Sequence, residues 1–402
     1  MPRRSLTTVT LLGALVALLT GCTTAEIPVV EQDEASTENS VLAIRLSPQL
    51  IGINAGATDG YVLLVSESGD SRLLQVGPMD IGKLTWTDSG LFVSGPTDEY
   101  LLTDEGVGLF PRGSKEAYET SRFVTPDGMG FVSVYNVGFG EDTYLGRVTT
   151  GSLGGVTSWD VTGMFESVSQ CEDLVVGITN IAETSVKSEE ATPRTDALVQ
   201  LYPEPASPER AILATLPITE GSFISDTGDA ACADGTAYTL AYQYDLPDAE
   251  GNGVPVLRAW NTRSGEHVVI PLTTKDGEPL DVPIDGLLGR PSSIFGNAVV
   301  WIDVDGRVFS SDRVTGVTAE LFQVALTAPE MGESQFLFTE TGVFVLDVGQ
   351  DLDAPLDFSH YDLASGDRND LMTIPGTGSV HDGLDMIIRD IAVEPRWAST
   401  HE

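Results

Sequence analysis

Three cysteines, four histidines and two dense acidic loops are the residues of this chain best equipped for chemistry. Cys22 follows Leu19-Thr20-Gly21 directly and offers a soft nucleophile open to alkylation. Cys171 and Cys232 remain as an even pair. In an oxidising compartment they can close a disulfide; otherwise they are two buried apolar thiols. The histidines are His267, His360, His381 and His401, and none has the spacing of a helical zinc pair. His381, with Asp382 and Asp385, falls near the expected inner end of a repeat. Asp245, Asp248, Glu250 and Asn252 crowd oxygen ligands into one turn, and the stretch from Asp347 to Asp357 adds Asp351 and Asp353. Calcium takes about six to eight oxygens at short range, so the first four are calcium candidates, although neither loop has EF-hand spacing and each also reads as an exposed hairpin loop. No other cofactor is expected. No Gly-x-Ser-x-Gly elbow, Walker loop or dinucleotide fingerprint occurs, so no catalytic residue is assigned.

The setting of Cys22 is more specific. Pro2-Arg3-Arg4 puts positive charge first, and Leu6 to Leu19 is an apolar run shorter than the about 20 residues that span a bilayer. Charged head, short apolar middle and small residues make a secretory signal. Ending in Leu19-Thr20-Gly21-Cys22, it resembles the lipobox of bacterial lipoproteins. The resemblance implies a diacylglyceryl group on the Cys22 sulfur, palmitate-type acyl chains and cleavage before Cys22. It places the protein on the outer face of the cytoplasmic membrane, or in the periplasm or outer membrane of a two-membrane cell. Each buried methylene adds about 0.8 kcal/mol, so two or three chains anchor firmly where one does not. An ordinary cleaved signal is the alternative, and Arg3-Arg4-Ser5-Leu6 also faintly resembles a twin-arginine export signal. After the signal (1–21), residues 22–40 carry Glu26, Glu31, Asp33, Glu34 and Glu38 among Ser, Thr and Pro, with no aromatic residue. Such a segment buries too little to offset chain entropy and reads as a disordered acidic tether.

Residues 41–402 suffice for a large core. The chain has 42 glycines, 22 prolines and only 20% charged residues, which suggests an all-β protein rich in tight turns. Beyond the signal, 60 acidic and 19 basic side chains leave a formal charge of −41. That surface repels nucleic acid and anionic headgroups, and it suits basic partners, cations or simple solubility.

A unit recurs along this stretch: a polar turn with Asp or Gly, then alternating apolar residues. The copies centre on Gly90, Gly128, Asp173, Gly235, Gly296, Gly342 and Gly383, in steps of 38, 45, 62, 61, 46 and 41. A second pattern, strand–turn–strand, follows several copies, as in Asn261-Thr262-Arg263-Ser264-Gly265 and Asp312-Arg313-Val314-Thr315-Gly316. There Asn or Asp bonds its own backbone and Gly supplies positive φ. The spacing predicts a β-propeller of seven blades, with Val62–Leu74 as an outer hairpin that completes a blade begun near Gly383, so that N- and C-terminal strands close the ring. Eight blades, with Val41–Gly56 as extra strands, is the alternative. Thr125-Pro126-Asp127-Gly128 resembles the Ser-Pro-Asp-Gly turn of TolB-type propellers, and the repeats are loosely similar to quinoprotein-type propellers. The resemblance implies an architecture and no ligand.

The expected function is a membrane-anchored binding or scaffold propeller for a protein or cell-wall partner outside the cytoplasm. The alternative is a surface hydrolase or lyase acting on glycans or peptides through axial carboxylates. Binding is preferred because the repeats bring few candidate catalysts to matching inner positions.

Overall fold

The computed structural model describes residues 27–32, 34–48, 57–185, 195–218, 222–223, 228–244, 253–282, 292–329, 334–349, 354–377 and 386–402. The chain opens with β1 (Val29–Val30), β2 (Ser40–Pro48), β3 (Gly60–Ser66) and β4 (Ser71–Val76). Two four-stranded meanders follow: β5 (Leu84–Thr87), β6 (Gly90–Ser94), β7 (Asp98–Thr103) and β8 (Gly106–Pro111), then β9 (Tyr118–Val124), β10 (Phe131–Phe139), β11 (Tyr144–Ser152) and β12 (Gly155–Thr162). The next arc holds β13 (Ser167–Cys171), β14 (Leu174–Asn180), β15 (Thr195–Tyr202), the short helix α1 (Pro208–Ala211), β16 (Ile212–Pro217), β17 (Ser222–Phe223), β18 (Asp229–Ala233), β19 (Thr236–Gln243), β20 (Val254–Asn261) and β21 (His267–Pro271). Two more meanders complete the series: β22 (Ser292–Phe295), β23 (Ala298–Ile302), β24 (Arg307–Asp312) and β25 (Thr318–Gln323), then β26 (Gln335–Phe338), β27 (Gly342–Asp347), β28 (Leu356–Asp362) and β29 (Arg368–Ile374). Last come β30 (Met386–Val393) and helix α2 (Pro395–His401).

The first strand of each meander lies innermost. β5 touches β30 and β9, β9 touches β13, β18 touches β22, and β26 touches β30. Apolar cores fill every gap between neighbouring sheets. Leu64 and Leu74 meet Leu91 and Val93, while Phe92 and Leu101 meet Phe131. Val132 and Val134 meet Val175 and Val199, and Val300 and Ile302 meet Val343 and Val345. The circle closes where Phe344 and Phe358 meet Leu42, Ile44 and Ile391. Successive residues of a strand enter opposite gaps, so β3 is buried on both faces, with Leu63 in one core and Val62 and Leu64 in the other.

The blade count expected from the spacing is corrected by the strand pairing. Five sheets stand as discrete blades, four of four strands and one of five, not seven or eight. The remaining arc, where the repeat steps are longest, is one nine-stranded sheet containing two meanders. They merge because β13 and β18 pair in parallel, Val168 with Asp229 and Ser169 with Ala230. The Ser169 hydroxyl also donates to the Ala230 carbonyl at 2.9 Å.

The five-stranded blade has the order β1-β4-β3-β2-β30, so β2 pairs antiparallel with the C-terminal strand along Leu42–Val393 to Pro48–Met386. Val41–Pro48, considered above as extra blade material, is the second strand of this blade. Six repeat copies are turns between the first and second strands of a meander. The copy near Gly383 differs: its 381–385 portion lies outside the described residues, and Met386-Ile387 begins β30 itself.

The tether boundary at residue 40 is also too late. Val29–Val30 pairs with Leu73–Leu74, and Ile27 and Ala35 are buried. These few apolar residues, spaced among the acids, find partners on the outer edge of the first blade. In the outer turns, Asp312 Oδ1 accepts from the Val314 and Thr315 amides at 3.0 and 2.8 Å. Gly316 has φ +73°, and a Cβ there would strike the Pro271 carbonyl.

Candidate functional site

A cavity of about 580 Å³ opens on the ring axis, at the starting ends of β9, β18, β22, β26 and β30 and the segment leading into β5. Six of its polar residues are Lys83, Glu119, Asp229, Ser293, Arg389 and Asp390. A polar groove of about 620 Å³ lies at the opposite end of β5 and β30. Several of its side chains are engaged within the fold: Thr37 donates to Asp104 at 2.9 Å, and Glu394 caps α2 at the Trp397 amide at 2.6 Å.

Local structure fixes each axial group. Glu119 occupies the start of β9, where its Oε2 accepts from the Lys83 amide at 2.7 Å and its Oε1 takes Arg122 Nε at 2.8 Å. Asp390, on β30, accepts from the Leu84 amide at 2.7 Å and lies 3.8 Å from Lys83 Nζ. These two bonds clamp the lead-in of β5 between β9 and the far later strand β30. Gln335 donates to the Ile388 carbonyl at 3.2 Å, and Arg389 reaches Asp80 at 3.5 Å. The Ser292 hydroxyl takes the Ala231 amide at 3.2 Å.

Burial pushes the Asp390 carboxyl up to about 6, against the pull of Lys83 and with a further push from Asp229 and Glu119. Burial raises the Asp229 carboxyl as well, again opposed by Lys83. Asp390 holds the Lys83 ammonium above its ordinary range against the cost of burial. Lys83 is therefore held as a cation, while Asp390 can take and release a proton near pH 6.

Behind the axis runs a buried ionic chain. Arg122 reaches from Glu119 to Glu99 at 2.7 Å, and Glu99 takes Arg112 at 2.8 Å. Arg112 meets Glu116 at 3.3 Å, Glu116 meets Arg147 at 2.5 Å, and Arg147 ends at the exposed Asp160. Tyr135 donates to Glu99 at 2.5 Å, and burial beside Glu119 and Glu99 holds its phenol well above the ordinary range. Burial would lower Arg112 and Arg122, but surrounding anions outweigh it and keep both charged. Arg45 is also fully buried: its Nη2 donates to the Gly77 carbonyl at 2.7 Å, and burial, against Glu119 and Tyr100, brings it down to about 10.

A family model described as "YycP, beta-propeller domain" matches residues 37–393. The chain belongs to the YycP β-propeller family. The resemblance to TolB-type and quinoprotein-type repeats holds for propeller architecture. No curated protein matches. Solved structures with a similar course include a putative 6-phosphogluconolactonase from Bacteroides fragilis, at 12% identity, covering 89% of this chain and 99% of that one, with a TM-score of 0.44. An apocarotenoid oxygenase mutant from Synechocystis has 10% identity, coverages of 89% and 93%, and a TM-score of 0.48. AztD from Citrobacter koseri has 11% identity, coverages of 87% and 89%, and a TM-score of 0.39.

The residues singled out by sequence fall elsewhere on this YycP propeller. Cys171 and Cys232 form a disulfide between the ends of β13 and β18. Cys22, the candidates Asp245, Asp248, Glu250 and Asn252, and His381, Asp382 and Asp385 lie outside the described residues. So do Asp351 and Asp353; Asp347 accepts from the Thr327 amide and Asp357 from the Thr373 hydroxyl. Among the described residues no group of three His, Cys, Asp or Glu could hold a metal, and no helix is long and apolar enough to cross a membrane. His267 packs against Trp260, the rings tilted by 59° with centroids 4.5 Å apart, and accepts from Arg258 at 3.3 Å; burial, then Arg258, lowers it to about 4. Sequence reasoning missed two residues of the axial cavity. Lys83 and Asp229 stand seven and six positions before the repeat glycines Gly90 and Gly235, and both reach the axis.

Proposed function

We propose that this YycP propeller is a membrane-anchored binding protein outside the cytoplasm. Acylated Cys22 holds it to the outer face of the membrane, and the axial cavity receives an envelope or cell-surface ligand. What supports this is the axial cavity itself: Lys83, Asp229 and Asp390, drawn from three separate strands or lead-ins, converge there on a rigid, packed ring. A photo-crosslinker at Ser293 in cells should capture a ligand or partner, whereas one at the exposed Leu153, on the far end, should not. Capture at Leu153 alone overturns the axial assignment. Cys22→Ala should release the protein into the medium or periplasm, and its retention on membranes overturns the anchor.

The second reading, a hydrolase or lyase for glycans or peptides, draws on Asp390 held near 6 beside Asp229, a proton donor and acceptor in one cavity. It predicts that Asp390→Asn abolishes turnover of a bound glycan or peptide without weakening its binding.

A further inference from the structure

The axial cavity holds more carboxylate than its own cations neutralise. Arg389 is directed to Asp80, and Lys83 to Asp390. Glu119 is held by Arg122 and by the Lys83 amide. Asp229 is left over. It makes no ion pair: Lys83 acts on it only across space, the Ser121 hydroxyl is its one side-chain donor, and its buried Oδ1 has no hydrogen-bond partner. A carboxylate oxygen withdrawn from water with no donor is costly, and a ligand supplying that donor is favoured accordingly. The same wall presents the Ser292 and Ser293 side chains, and Phe336 and Ile388 add apolar surface.

Resting on the axial reading above, we propose that the cavity binds an organic cation: a primary ammonium on a hydroxyl-bearing body, its nitrogen at Asp229 and Asp390 and its hydroxyls at Ser292 and Ser293. Lys83 marks the boundary of the site and limits it to one added positive charge. Lys83 and Glu119 act on both aspartates, Ser121 lies at Asp229, and Tyr118, Asp80 and Arg389 form a second cluster on the far side of Lys83. Both carboxyls are raised in the empty cavity, so an arriving ammonium draws them into the ionised form. Binding releases a proton to solvent; no covalent bond changes and no co-reactant is needed.

Calorimetric titration of the full, detergent-solubilised chain at pH 6 tests this with three probes of one shape: glucosamine, glucose and glucuronate. Glucosamine should bind at least about tenfold more tightly than glucose, a difference of about 1.4 kcal/mol. Its heat should vary with the ionisation heat of the buffer in the sense of proton release. Asp229→Asn should weaken glucosamine at least about tenfold. Lys83→Met should strengthen it, which damage to the fold would not do. Tighter binding of glucuronate, or an unchanged Asp229→Asn, overturns the proposal. If no probe binds while Ser293 still captures a partner, the cation class fails and the axial assignment stands; if both fail, both fall.

Discussion

Glu99 on β7 holds Arg122 on β9 at 2.7 Å across the junction of two blades, with both side chains withdrawn from water. Arg112 takes the other oxygen of the same carboxylate at 2.8 Å, and its guanidinium lies 4.6 Å from the centre of the Tyr135 ring. Two arginines therefore share this anion in a space that water does not reach, and without it each keeps one carboxylate, Arg122 at Glu119 and Arg112 at Glu116. Removing one partner of a buried ion pair costs far more than the pair contributes, because the remaining charge is stranded. Glu99→Ala should destabilise the protein by about 3–5 kcal/mol. Urea melts followed by tryptophan fluorescence would report it; a loss below about 1 kcal/mol would show that the chain relaxes around the gap.

Asp390 gives stability a defined pH dependence. Its carboxyl titrates near 3.8 ordinarily and near 6 in the fold. Between those values the folded protein keeps a proton that the unfolded chain has released. This group's contribution therefore falls as pH rises from about 4 to about 6 and is level above that. Asp390→Asn retains an acceptor for the Leu84 amide and removes the titration. Measured as mutant minus wild type, stability should climb across that window by up to about 3 kcal/mol. A flat difference curve would mean that Asp390 is ionised throughout.

His267 works in the opposite sense. Burial and Arg258 lower it from 6.5 to about 4. The unfolded chain takes up a proton below 6.5 that the folded one refuses, so this contribution is intact above 6.5 and is lost as pH falls toward 4. His267→Gln should flatten the wild-type decline between pH 6.5 and 4 in thermal melts, with little change at pH 8.

The Cys171–Cys232 bond closes a loop of 61 residues. Loop-closure entropy alone gives about 4 kcal/mol. Cys171→Ala/Cys232→Ala should lower the urea midpoint accordingly, and reductant should affect the wild type but not the double variant. Equal midpoints for both proteins would show the crosslink to be energetically idle.

The sequence revealed architecture more readily than site. Tight turns are local: Asp127 Oδ1 takes the Thr125 hydroxyl at 2.6 Å and the Met129 amide at 3.1 Å, all within five residues, so such a turn declares itself in the string. Blade boundaries do not. The parallel pairing of Val168 with Asp229 joins residues 61 apart, and nothing near either of them announces it. The axial site is harder still. Lys83, Asp229 and Asp390 are ordinary charged residues in their own neighbourhoods, and only the closing of the ring makes them neighbours. The buried acids escaped notice because a composition of 60 acidic side chains reads as coat. Glu99, Glu116 and Glu119 are in fact interior, each matched by an arginine.

β30 is among the last segments to be made, yet it is the innermost strand of the blade that β2, β3 and β4 begin. Those early strands must wait, with one edge bare, for almost the whole polypeptide to appear. Closure of this blade thus cannot precede the synthesis of Met386–Val393. A chain cut short anywhere before Met386 would leave a permanent opening beside β2, an invitation to pair with another copy. The completeness of this blade thus rests on one short strand, Met386–Val393.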